Sequence, residues 1–145
     1  MEAELWIKHK LESFESDNYQ YSVSFQEEIM LIHQEISFSW SNRISTKDFI
    51  IPLKKISNVS FKTQMKRDIE NDTATNDPSF IYFYIECDDK CFEIEEDINQ
   101  FGPINSRISL SLDLSILEDD MINRLIKALN HLIGLNGGSV VKDVF

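Results

Sequence analysis

The chain has 145 residues, the size of one ordinary domain, and its 42 % hydrophobic and 27 % charged content is a globular balance. Twenty-five carboxylates against 14 lysines and arginines leave a net charge of −11. That surplus argues against a nucleic-acid binder, which must offer phosphates a basic face. It disfavours an anionic membrane surface for the same reason, and it suits a basic partner.

Residues 2–14 are expected to form a short amphipathic helix, with Leu5, Trp6, Leu11 and Phe14 at near-helical spacing. Ser16-Asp17-Asn18 ends it with turn-forming residues. Alternation then takes over: Tyr19, Tyr21, Val23 and Phe25 point one way, and Gln20, Ser22 and Ser24 the other. Gln26-Glu27-Glu28 reads as a turn into Ile29-Met30-Leu31-Ile32-His33, and Ile36, Phe38 and Trp40 continue the alternation towards a turn at Ser41-Asn42-Arg43. Phe49-Ile50-Ile51 is an apolar run stopped by Pro52, which cannot donate to a ladder. Ile56, Val59 and Phe61 open a strand that continues to about Lys66. The polar stretch 67–78, with Asn71-Asp72 and Asn76-Asp77-Pro78, reads as the longest exposed loop.

Phe80 to Cys87 is apolar on both faces, which predicts a central strand covered on two sides. Asp88-Asp89-Lys90 looks like a hairpin turn, after which Cys91, Phe92, Ile94 and Ile98 continue the pairing. Gly102-Pro103 breaks the chain, and Ile108, Leu110, Leu112 and Leu114 alternate with Ser109, Ser111 and Asp113 as a strand with one wet face. Ser115-Ile116-Leu117-Glu118 fits a capping box for the last helix. Its apolar stripe is Leu117, Met121, Ile122, Leu125, Ile126, Ala128, Leu129, Leu132 and Ile133, with Arg124, Lys127, Asn130 and His131 on the other faces. Asn136-Gly137-Gly138 ends it, because glycine tolerates the left-handed conformation needed there. The short tail from Ser139 to Phe145 carries Val141 and Val144.

A helix, about seven antiparallel strands and a long final helix make an α+β order. Within it, Ile51-Pro52-Leu53-Lys54-Lys55-Ile56-Ser57-Asn58-Val59-Ser60-Phe61 resembles the strand-to-strand passage of pleckstrin-homology-like domains. Leu125-Ile126-Lys127-Ala128-Leu129-Asn130-His131-Leu132-Ile133 resembles their final helix, and the general appearance is similar to that of small bacterial proteins of unassigned role. The resemblance implies a partly open barrel closed by the C-terminal amphipathic helix over residues 19–138, with residues 1–18 an additional helical extension and 139–145 a tail. It also implies a binding module. Phosphoinositide binding is not expected, because the first hairpin reads Gln26-Glu27-Glu28 and holds no basic residue.

No catalytic, cofactor-binding or metal-ligating residue is assigned, and no enzyme activity or cofactor is expected. His9 falls among polar neighbours, and His131 lies on the wet side of the last helix, placed to reach its final carbonyls. His33, near Glu35, is the one candidate for a small polar site, against the bland alternative of a satisfied structural histidine. Cys87 and Cys91 face each other across the expected hairpin, so a disulfide is open to them. A cytoplasmic address favours reduced thiols instead, and one Cys-x3-Cys pair is a weak zinc signal. That address follows from the absence of any apolar run near the roughly 20 residues of a membrane span, and from a Met1-Glu2-Ala3-Glu4 start unlike a signal peptide. Glu93, Glu95, Glu96 and Asp97 read as a solvated strand edge, without the calcium-loop pattern. The aromatic residues read as core positions, not interleaved with Lys or Arg. The leading expectation is a non-catalytic binding or protein-interaction module. The alternative is an acidic immunity or inhibitor protein that neutralises a basic toxin or nuclease.

Overall fold

A computed structural model of the chain describes residues 2–14, 16, 18–38, 43–68, 70–71, 73–96 and 104–138. Helix α1 (Glu2–Ser13) is followed by β1 (Tyr19–Gln26), β2 (Ile29–Ser37), β3 (Ile44–Pro52), β4 (Ile56–Asp68), β5 (Thr73–Cys87), β6 (Phe92–Glu96), β7 (Ile104–Asn105), β8 (Arg107–Leu112) and helix α2 (Met121–Leu135). The fold is α+β, with every strand pair antiparallel. The strands fall into a five-stranded sheet, β1-β2-β3-β6-β7, and a three-stranded sheet, β4-β5-β8. No ladder joins the two sheets among the described residues, so no closed barrel forms.

The inner faces follow from the period of two. Tyr21 and Val23 on β1, Met30 and Ile32 on β2, Phe49 and Ile51 on β3, and Phe92 and Ile94 on β6 are buried from one sheet. Ile81, Phe83 and Ile85 on β5 and Ile108, Leu110 and Leu112 on β8 are buried from the other. Six α2 residues, Ile122, Leu125, Ile126, Leu129, Leu132 and Ile133, complete the same cluster, at the spacing of one helix face. On α1 the buried pair is Ile7 and Leu11, four apart, while Leu5 is 66 % exposed. Of the expected stripe, Leu11 is buried and Trp6 and Phe14 pack against the core, while Leu5 faces out and Ile7 takes its place.

Several expectations are corrected. The stretch 67–78 is mostly strand: the β4–β5 ladder reaches Arg67↔Ala74 and Asp68↔Thr73, so the chain makes a long arm with a short turn. Asp88-Asp89-Lys90 is not a hairpin turn, because β5 and β6 lie in different sheets and β6 pairs with β3. The Ser115–Glu118 capping box does not start the last helix. Asp113 instead accepts from Ser115 N–H at 3.1 Å to begin a 3-10 turn over Leu114–Asp120 that buries Ile116. Asp119 and Asp120 then reverse the chain at φ +54° and +57°, a left-handed conformation that Asp tolerates better than most residues, and α2 begins at Met121. Leu117 is consequently 40 % exposed. Asn130, expected on the wet face of α2, is half-buried, with Oδ1 enclosed and unpaired.

The C-terminal stop agrees with expectation: Gly137 sits at φ +85° and Gly138 N–H donates to Ile133 C=O at 2.9 Å. Trp40, Ser41-Asn42, Asp17, Asp72, Asp97, Ile98, Gly102-Pro103 and the tail 139–145 lie outside the described residues.

Candidate binding surface

β5 is the middle strand of its sheet, so its two faces meet different environments. Ile81, Phe83 and Ile85 are fully buried, whereas Phe80, Tyr82 and Tyr84 are only half-buried on the opposite face. The double-sided apolar pattern thus reflects one covered face and one open aromatic stripe, which corrects the expectation of cover on both sides. The rings contact in series: Phe80 and Tyr82 are edge-to-face at 4.9 Å between centroids, and Tyr82 and Tyr84 stack at 6.0 Å.

Cross-strand register brings cations to this stripe. Lys62 on β4 pairs opposite Tyr82, and Arg107 on β8, one row along from Tyr84, lays its guanidinium over that ring at 3.6 Å. The Arg107 guanidinium is also 3.9 Å from the Glu86 carboxylate. The aromatic residues of β5 are therefore interleaved with Lys and Arg, contrary to the linear reading, because the basic residues come from neighbouring strands. Burial, and next to it the nearby Tyr82, hold the Tyr19 phenol above its ordinary range.

The outer face of the five-stranded sheet holds His33. Register places Ser22, His33, Asp48 and Glu95 in one row across β1, β2, β3 and β6. His33 Nδ1 lies 2.6 Å from Asp48 Oδ1, and Nε2 lies 3.5 Å from Glu35 Oε1. The hydrogen bond to Asp48 is the main reason the imidazole titrates above its ordinary value, with Glu35 adding to it and partial burial opposing it. Leu31 and Ile50 lie in the next row, and together with Lys8, Ser22 and Glu95 they border a hollow of about 470 Å³. Asp48 escaped the sequence reading because it is 15 residues from His33; the β2–β3 register unites them. Glu93 and Glu95 are exposed, as expected.

Cys87 and Cys91 are joined as a disulfide, with 6.4 Å between their Cα atoms, which corrects the expectation of reduced thiols. The bond closes the crossing from one sheet to the other. Lys54, Lys55, Ser57, Asp88 and Asp89 surround it, with no histidine among the residues that line this hollow, so it forms no nucleophile–base pair with His33. His9 and His131 are exposed, and the end of α2 is served by Asn136, whose Nδ2 donates to Leu132 C=O at 2.8 Å. His131 instead rims a groove between the two helices with Ala3, Trp6, Ala128 and Leu135.

Among the described residues no three His, Cys, Asp or Glu side chains converge to hold a metal ion. No helix among them is long and apolar enough to cross a membrane. Comparison with family models, with curated proteins and with solved structures finds no match to this chain.

Proposed function

We propose that the chain is a non-catalytic protein-interaction module of the pleckstrin-homology-like kind, docking a partner protein on the outer face of the three-stranded sheet. The observation that carries this reading is the stripe of Phe80, Tyr82 and Tyr84, half-exposed beside Lys62 and Arg107 on a strand whose reverse face buries Ile81, Phe83 and Ile85. Tyr and Arg are enriched where binding energy concentrates, since each offers a large rigid surface and a polar end. A nucleic-acid partner is disfavoured because a net charge of −11 repels phosphates at long range. The test is affinity capture with the full chain and with a Tyr82→Thr, Tyr84→Thr double variant whose melting is checked first. Loss of the captured partner with retained folding supports the reading. Capture that ignores both substitutions refutes it.

A second reading, an acidic inhibitor of a basic toxin or nuclease, draws on the other sheet. Its outer face carries Glu35, Asp48, Glu93 and Glu95 around Leu31 and Ile50. Such a face complements a basic partner with an apolar centre. Capture that is abolished by Glu93→Lys with Glu95→Lys, and untouched by the tyrosine substitutions, selects this reading over the first.

A further inference from the structure

Among the described residues the two sheets have four outer edges, and on two of them side chains bond the backbone of one outward-facing residue. On β1, Val23 N–H donates to Glu12 Oε2 at 2.8 Å, and Val23 C=O accepts from Lys8 Nζ at 2.8 Å. Lys8 and Glu12 are themselves paired at 2.6 Å, so one turn of α1 takes the place of a neighbouring strand. Burial opposes ionisation of Glu12, but Lys8 and the Val23 N–H prevail and hold its carboxyl below its ordinary range. On β8 the Tyr21 hydroxyl does the same alone: it accepts from Ser111 N–H at 2.8 Å and donates to Ser111 C=O at 3.0 Å. A third edge, β7, is two residues long.

The fourth edge is β4, a strand of 13 residues at the end of its sheet, with no strand on its outer side among the described residues. Its ladder to β5 is regular from Asn58↔Glu86 to Gln64↔Phe80 and shifts register on either side. In an antiparallel ladder each residue directs its N–H and C=O to the same side, so alternate residues of 58–64 present both groups outward. The charge of this edge is the reverse of the molecule's. Strand β4 carries Lys62, Lys66 and Arg67 against one carboxylate, Asp68 at its end, in a chain of net charge −11.

We infer that the outer edge of β4 accepts an extended acidic segment of the partner protein as an added antiparallel strand. This rests on the module reading above and names the partner's chemistry. Backbone hydrogen bonds to 58–64 supply the affinity, and carboxylates opposite Lys62 and beside Lys66 set register and preference. On that face Lys62 stands between the segment and Tyr82, which is two strand spacings away, roughly 9–10 Å. A second copy of this chain is the poorer occupant, because antiparallel β4 strands bring two sets of lysines together with no carboxylate on either strand through residue 66.

The test uses the full chain and three capped ten-residue peptides: alternating Glu and Val, alternating Lys and Val, and the Glu–Val peptide N-methylated at every second residue. Binding is read by fluorescence anisotropy and the site by amide hydrogen exchange. The expected result is that the Glu–Val peptide binds at least about tenfold more tightly than the Lys–Val peptide, slows exchange within 58–64 and weakens with salt. N-methylation should abolish binding, and Lys62→Glu with Lys66→Glu should reverse the charge preference. Equal binding of the methylated peptide, protection elsewhere, no peptide binding, or no preference between peptides overturns strand addition. So does concentration-dependent dimerisation that protects 58–64, which would make the occupant a second copy. Displacement of the peptide by phosphoinositide vesicles overturns it as well, in favour of a lipid site. Partner capture that depends on Tyr82 and Tyr84 while the peptides fail would leave the module reading standing and remove only this inference.

Discussion

Tyr21→Phe deletes one oxygen and should cost this protein more than most single-atom changes. Tyr21 is 4 % exposed and Ser111 is 6 % exposed, so water cannot replace the lost group without opening the structure. The hydroxyl serves both backbone groups of Ser111, at 2.8 and 3.0 Å, and no strand among the described residues lies on that side of β8. A buried donor or acceptor left without a partner costs roughly 1–3 kcal/mol. The N–H is the harder of the two to satisfy elsewhere, since a carbonyl has two lone pairs and more ways to find a donor. The expected loss is therefore about 2–4 kcal/mol, a large share of the ~5–15 kcal/mol typical of a whole domain. Tyr82→Phe, on the half-open face of β5, is the control and should change stability by no more than about 0.5 kcal/mol. Urea midpoints for the two variants, with exchange of the Ser111 amide, decide the matter. A Tyr21→Phe protein within about 0.5 kcal/mol of the original would refute the claim that this hydroxyl closes the edge of β8.

Leu125→Ala and Leu129→Ala each empty a fully buried site on α2 and should cost roughly 2–5 kcal/mol in denaturant melts. Lys127→Ala, on the exposed face, should cost no more than about 1 kcal/mol, and equal damage from both faces would show the helix phase to be wrong. His33 is held above its ordinary value of 6.5, chiefly by Asp48. The stabilisation it provides is thus complete below pH 6.5 and is lost as pH rises through the folded-state value. Melting temperatures across pH 5–9 should show that slope in the native chain and not in Asp48→Asn; superimposable profiles would remove the pair from the pH dependence. Reducing the Cys87–Cys91 bridge, which closes a loop with a sequence separation of 4, should release about 2 kcal/mol of unfolded-state restriction. That corresponds to about 4–8 °C in Tm, and melts unchanged by reductant would count against it. A Cβ at Gly138 would meet Ile133 Cγ2 at 2.6 Å and Lys54 Cα at 3.1 Å, so Gly138→Ala should destabilise by roughly 1–3 kcal/mol in the same melts.

Local periodicity was enough to locate β1, β8 and most of α2, and to foresee the glycine stop after Leu135. A period of two or 3.6 is written in side chains a few residues apart and needs no knowledge of the rest of the chain. It also marked His33 as the histidine with polar company. Partnership was another matter, because strand pairing is decided by contacts between distant residues. Cys87 and Cys91 are four residues apart, yet the chain between them changes sheets. Tyr21 and Ser111 are 90 residues apart and share two hydrogen bonds. The alternation of Phe80 to Ile85 announced two apolar faces, but only the count of packed layers shows that one stays open beside Lys62 and Arg107. Lys62, Lys66 and Arg67 were visible as a string of letters. Their place on the longest sheet edge among the described residues depended on the order β4-β5-β8, which arises when non-local ladders compete for the same backbone groups and no short window of sequence records the winner.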